Sequence, residues 1–157
     1  MSNHRELKII SGGQTGTDRA ALDFALKNGI NCGGWCPAGR LAEDGIIPDR
    51  YPLRETASSD PSERTVLNVN DSEGTLIICC TEADEGSRHT ISMAKEVKKP
   101  VYIIRETDVI NPKEFNIWLD VNKINVLNVA GPRESNDPGV YAFALTAMDR
   151  LFRNISE

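Results

Sequence analysis

The segment with most scope for chemistry is Ser11-Gly12-Gly13-Gln14-Thr15-Gly16-Thr17-Asp18-Arg19, which joins the apolar run Leu7-Lys8-Ile9-Ile10 to a stretch with helical spacing. Glycines let a backbone approach a ligand and turn its N–H groups inward, and a helix N-terminus adds partial positive charge, so the junction suits a phosphate. The Thr15 and Thr17 hydroxyls can add donors, and Arg19 can reach the anion or lie in solvent. The same glycines also permit a tight turn packed on the sheet with no ligand; the position between strand and helix favours anion binding. That reading requires the loop amides to face a hollow. It predicts that Gly13→Val blocks binding and leaves the fold intact. A P-loop lysine followed by Ser or Thr is missing, and Gly12-Gly13-x-x-Gly16 is not G-x-G-x-x-G, which argues against ATP hydrolysis and ordinary dinucleotide binding.

A second polar cluster runs from Cys36-Pro37-Ala38-Gly39-Arg40 through Glu43-Asp44-Gly45 to Arg50, Arg54 and Glu55. The three arginines carry planar forks for phosphate or carboxylate, while Glu43, Asp44 and Glu55 can pair with them and hold the segment shut. On sequence both readings stand. Cys36 has no histidine near it in sequence and reads as a structural thiol. Farther on, Glu82, Asp84 and Glu85 sit badly beside an anion, since like charges repel. They are expected to face solvent or to accept hydrogen bonds from ligand hydroxyl or amino groups. Arg88 can offset them, and His89 reads as a surface residue.

Short apolar runs and helical patterns must position these groups. Strands are predicted at Leu7–Ile10, Ile30–Trp35, Thr75–Cys80, Val101–Ile104 and Ile124–Val129, with helices from Thr17 or Asp18 to Lys27, and over 61–69, 87–99, 112–122 and 140–152. The Thr75–Cys80 run is apolar on both alternating faces, as a central parallel strand covered by helices must be. The alternation defines an α/β fold, an open and mostly parallel Rossmann-like sheet of about five strands with helices on both faces. Ligands then bind at the carboxyl ends of the strands, so the loops after Ile10, Trp35, Cys80, Ile104 and Val129 should gather on one rim. Residues 31–60 hold too many glycines and prolines for a long element, yet Trp35, Ile46, Ile47, Tyr51 and Leu53 suggest that the segment packs.

At 157 residues the chain is long enough for one domain, 1–157, with one core. A formal net charge of −5 disfavours nucleic acid and anionic lipid as partners and leaves small molecules. No run is long enough to span a membrane, and Met1–Lys8 has no apolar leader core, so the expected location is the cytosol. Cys79 and Cys80 are adjacent in an apolar run and read as core thiols. Cys32 and Cys36 lack a second pair at metal spacing, and only His4 and His89 could join them, so zinc is not expected.

Five pieces in order carry a resemblance along nearly the whole chain. They are Gly12-Gly13-Gln14-Thr15-Gly16-Thr17-Asp18; Gly33-Gly34-Trp35-Cys36-Pro37 with Gly39-Arg40 and Ala42-Glu43-Asp44-Gly45; Arg50-Tyr51-Pro52-Leu53 with Glu55-Thr56; Arg64-Thr65 with Asn68-Val69; and Asn128-Val129-Ala130-Gly131-Pro132-Arg133-Glu134-Ser135. Together they resemble the molybdenum cofactor carrier proteins. The resemblance implies a Rossmann-like fold related to the lysine-decarboxylase-like (LOG) proteins, a non-catalytic role in binding molybdopterin or its metal-bearing form, and a homo-oligomer. It implies that the Gly12–Asp18 loop takes the cofactor phosphate and that Pro37, Gly39, Arg40, Glu43 and Asp44, with Arg133, border the pterin. The broader LOG group has a Pro-Gly-Gly-x-Gly-Thr loop followed closely by a glutamate. Of the corresponding Thr81–Thr90 only Gly86, Ser87 and Thr90 fit, and no glutamate follows in the next turn, which weakens the case for a phosphoribohydrolase.

Three functions follow as expectations. The first is a carrier for a small anionic ligand, the molybdenum cofactor or another phosphorylated, nucleotide-like heterocycle. The second is an enzyme that splits nucleoside monophosphate N-glycosides, with Glu43, Asp44 or Asp84 activating water. The third is a sensor of a nucleotide-derived signal whose pocket alters oligomer packing.

Overall fold

The computed structural model describes residues 6–153, so His4 and most of Met1–Lys8 lie outside the described residues. The elements follow the predicted alternation: β1 (Lys8–Ile10), α1 (Thr17–Lys27), β2 (Asn31–Gly33), four two-residue strands β3 (Trp35–Cys36), β4 (Leu41–Ala42), β5 (Gly45–Ile46) and β6 (Arg54–Glu55), then α2 (Pro61–Asn70), β7 (Gly74–Cys79), α3 (Glu85–Glu96), β8 (Val101–Arg105), α4 (Pro112–Val121), β9 (Val126–Ala130) and α5 (Val140–Leu151). None of these helices is long and apolar enough to cross a membrane.

Five strands pair in the order β2-β1-β9-β7-β8, all parallel. Strand β7 is buried at every position, as a central strand covered on both faces must be. Leu76 and Ile78 join Leu127 and Val129 against Ala21, Phe24, Phe115, Leu119, Ala144 and Met148, which places α1, α4 and α5 on one face. Helices α2 and α3 pack together, with α3 against β7 and β8. Aromatic rings close the first core, with Phe152 at 5.5 Å between centroids from both Phe24 and Phe115. All four cysteines are free, and Cys79 and Cys80 are buried in the core as their apolar run implies.

The excursion between β2 and α2 does pack, around its own small core of Leu22, Cys36, Ile47, Tyr51 and Leu53. Ile46 departs from that expectation and is 72% exposed. Arg40 organises the segment. Its guanidinium donates to the carbonyls of Ile47, Pro48, Tyr51 and Leu53 at 2.8–3.2 Å, so four carbonyls of one stretch converge on one cation. Tyr51, fully buried, donates to Asp23 of α1 at 2.6 Å and ties the excursion to the first helix.

Candidate ligand cleft at the carboxyl rim

The helix after β9 packs on α1, on one face of the sheet, while the helix after β7 packs on α2, on the other. A crevice therefore opens beyond the carboxyl ends of these adjacent strands, the place where open α/β sheets bind ligands. A cavity of about 580 Å³ lies there. Its floor is Asn128 and Ala130 of β9 with Gly131; one wall is Pro61, Arg64, Thr65 and Asn68 of α2, and the other is Asp84 to Ser87, His89 and Thr90 at the start of α3. Gly12, Gln14, Asp18, Arg133 and Asn136 complete the rim. The loop after Ile104 stays away from this cavity and borders a separate hollow at the sheet edge.

The glycine-rich loop reaches the cavity through Gly12, Gln14 and Asp18, and four of its amides are committed to protein partners. The Ser11 amide donates to the Gly33 carbonyl, Gln14 to Asp18 Oδ2, Thr15 to Gln14 Oε1 and Thr17 to the Pro132 carbonyl. An uninterrupted row of amides facing a hollow is thus not what this loop presents. The helix cap differs too. Gly16 at φ 80° occupies the cap position with no side-chain cap bond, while the Thr17 hydroxyl donates to the Ile78 carbonyl at 2.7 Å. A Cβ on Gly13 would meet Leu53 Cδ1 at 2.7 Å and Ile47 Cδ1 at 2.9 Å, at φ 83°. Gly13→Val therefore attacks the second core rather than a ligand surface, contrary to the expectation that it spares the fold.

Seven other candidates lie outside the cleft lining. Arg19 forks onto Asp44 at 3.1 Å, and this pairing holds the Asp44 carboxyl below its ordinary value. Glu43 accepts hydrogen bonds from the Thr15 and Ser135 hydroxyls and the Ser135 amide, which hold its carboxyl low, and it lies 3.5 Å from Arg133 Nε. The β4–β5 hairpin is thereby clasped to the segment after β9. Arg40 is spent on backbone carbonyls. Pro37 and Gly39 belong to the same packed segment, the Gly39 amide donating to Glu55 at 2.7 Å, and Arg88 donates to the Ala83 carbonyl at 2.7 Å. Glu43 and Asp44 are thus paired, but with Arg133 and Arg19 rather than with the arginines of their own segment: Arg40 is spent on carbonyls, Arg50 donates to the Tyr51 hydroxyl and Arg54 lies 3.9 Å from Asp71. Cys36 is fully buried, and burial pushes its thiol above the ordinary value, which suits a structural thiol.

The cleft brings together Gly12, Gln14, Asp18, Asp84, Gly86, Ser87, Thr90 and Arg133 from the predicted set. It adds Arg64, Asn68, Asn128, Asn136 and His89, to which sequence reasoning gave no site role. An asparagine inside the apolar run Val126–Ala130 was the available signal for Asn128, which donates to Thr75 Oγ1 at 3.2 Å. His89 corrects its surface reading: Nε2 is buried and makes no hydrogen bond, and the same is true of the Ser87 hydroxyl, on a residue only 2% exposed. Arg64 spends one N–H on the Gly12 carbonyl at 3.2 Å. Asp18 is 5% exposed, and burial pushes its carboxyl up to about 6 despite the opposing effects of Arg64 and the Gln14 amide. Burial also pushes Asp84 up, but hydrogen bonds from Asn136 and Ser87 and the nearby Arg133 outweigh it and leave the carboxyl below its usual value.

A parallel sheet with a cleft of mixed charge at its switch point defines a Rossmann-like α/β fold. The chain belongs to the circularly permutated YpsA SLOG family, whose model matches residues 9–152. It is also similar to the crystal structure of the "Putative molybdenum carrier protein" of Syntrophus aciditrophicus SB, with 44% identity and a TM-score of 0.89 over 96% of this chain and 97% of that one. No curated protein matches the chain.

Proposed function

We propose that this cleft holds a phosphorylated heterocycle, the molybdenum cofactor or its pterin precursor, and that the protein is its carrier. The observation that carries the reading is the pair of buried, unpartnered polar atoms, Ser87 Oγ and His89 Nε2, in one wall of a 580 Å³ cavity that also contains Arg64 and Arg133. Buried polar groups without partners are costly, and a ligand that supplies those partners recovers the loss. The volume is that of an ordinary small-ligand site. The phosphate belongs beside Ser87, Gly86 and the first turn of α3, with the arginines supplying charge, and the ring belongs between α2 and Asn128. The name of the similar Syntrophus protein supports a molybdenum-related ligand. The hydrolase reading has less support, because Glu43 and Asp44 lie outside the cleft and Asp84, held in its ionised form by its hydrogen bonds, is a weak base. The homo-oligomer that the resemblance implies and the cytosolic location expected from the sequence remain part of the proposal.

The test is native mass spectrometry of protein prepared without air from a host that makes pterin cofactors. Wild type should carry a pterin phosphate mass. Ser87→Ala should lower affinity for it about tenfold, the scale of one hydrogen bond to a charged group. A wild-type protein that neither carries nor takes up such a compound would end the proposal.

A further inference from the structure

The cleft carries charge of both signs. Four carboxylates, Asp18, Asp60, Asp84 and Glu85, border it against two arginines, Arg64 and Arg133. A ligand that is only an anion fits such a lining poorly, whereas one carrying an anion at one end and hydrogen-bond donors at the other fits both. Two of the other carboxylates are helix caps: Asp84 accepts the Ser87 amide at 2.9 Å and also Asn136 Nδ2 at 2.9 Å, and Asp60 accepts the Ser62 amide at 3.0 Å, while Glu85 is exposed. Asp18 differs. It lies at the first turn of α1, buried in the cleft lining, and the hydrogen bond it receives, from the Gln14 amide, is 3.3 Å long, weak for a charged acceptor. Ser11 cannot do better, since its one hydroxyl proton goes to the Val129 carbonyl at 2.7 Å. Arg64 on α2 is the neighbouring cation, and Asp84 the neighbouring anion.

Building on the reading of the cleft as a site for a phosphorylated heterocycle, we infer that Asp18 is its specificity-determining residue, accepting the paired ring N–H and exocyclic amino group of a 2-amino-4-oxopyrimidine edge. Two parallel N–H donors match the two oxygens of one carboxylate, a bidentate pairing that a phosphate could never make with Asp18. A fused ring of this kind places its donor edge at the Gly12–Asp18 side and its phosphate arm toward Ser87. The glycine-rich loop thereby reads the heterocycle rather than the anion. An aminopyrimidine of the adenine type offers an acceptor where this edge has its ring N–H. A 2,4-dioxo ring replaces the amino donor by an oxygen that faces the carboxylate and repels it.

The experiment compares two fluorescent probes, the phosphate esters of 6-hydroxymethylpterin and of 6-hydroxymethyl-lumazine, by equilibrium titration at pH 7.5. Wild type should bind the pterin ester at least about tenfold more tightly than the lumazine ester, the discrimination expected from one charge-assisted donor gained and one repulsion avoided. Asp18→Asn, which keeps an acceptor for the Gln14 amide, should reduce the preference to less than about twofold. Ser87→Ala should weaken both probes alike and keep the ratio. Equal binding of both probes by wild type, or an unchanged preference in Asp18→Asn, overturns the inference and leaves the carrier reading standing. Failure of wild type to bind either probe overturns the carrier reading and this inference with it.

Discussion

Asp18 is destabilising at neutral pH, because a carboxyl whose folded-state pKa is about 6 must be ionised in a place that resists charge. The ordinary value, 3.8, holds when the chain is unfolded. Between these values the native state binds the proton more tightly, so the contribution to stability is full below about pH 4 and is lost as pH rises through 6. A shift of this size corresponds to about 3 kcal/mol at pH 7.5, and Asp18→Asn should recover a large part of it. Urea unfolding at pH 7.5 and pH 4 checks this: the variant should be the more stable at the higher pH, with the gap falling below about 1 kcal/mol at the lower. A gap of equal size at both pH values would refute the assignment. A residue that weakens the fold while facing a ligand cleft is where function and stability pull apart. Its place was partly legible, since Gly12-to-Arg19 stood out as a candidate rim loop and three of its residues, Gly12, Gln14 and Asp18, line the cleft. What was not legible was which atoms the protein itself would consume. Thr15, Arg19 and Glu43 are partnered across 25 or more residues of sequence, and no local pattern encodes such pairings.

The five strands of the main sheet and the five helices were readable from apolar runs, periodicity and stop signals, as in the Pro112 start of α4 capped by Asn111, although the strand expected over Ile30–Trp35 is cut to Asn31–Gly33 at Gly34, which stands at φ 128°. The two-residue strands β3 to β6 have no period to read. They exist through tertiary pairing, Trp35 beside Arg54 and Leu41 opposite Ile46. Helix α3 begins at Glu85 rather than Ser87 because Asp84 caps it, a boundary that shifts with one hydrogen bond. The excursion depends on Arg40, which stands at φ 54° with four carbonyls around its guanidinium. Arg40→Ala should therefore destabilise the protein by about 2–4 kcal/mol, from several buried acceptors left without a donor. Because Arg40 lies outside the cleft, affinity for the pterin ester measured well below the unfolding transition should stay within about threefold of wild type. Loss of ligand binding with unchanged urea stability would return Arg40 to the site.

The strand order makes the whole molecule a rotated version of a common plan. Counted from β9, the chain runs β9, β1, β2, β7, β8, and the sheet order β2-β1-β9-β7-β8 becomes 3-2-1-4-5, that of a dinucleotide-binding Rossmann sheet lacking its sixth strand. The family's description as circularly permutated agrees with this. In the rotated frame the segment after β9, Gly131 to Gly139, takes the place of the first strand–helix turn, and it is clasped to the Gly12–Asp18 loop by Thr15 and Glu43. Two loops from opposite ends of the sequence thus form one rim, and the sheet rather than chain order fixes the cleft. The position of the chain ends should then matter little to folding. The turn between β8 and α4 is exposed, with Val109 at 93%, and new ends are tolerated at such sites. A variant opened between Asp108 and Val109, with the original ends joined by a flexible Gly/Ser linker, begins with α4 and β9 and keeps every strand pair and every cleft residue. It should show the wild-type far-ultraviolet circular dichroism spectrum and the wild-type preference between the pterin and lumazine esters. A variant that folds but loses that preference would show that the rim depends on the native order of the chain, and that the clasp between its two loops is set during folding rather than by the final sheet.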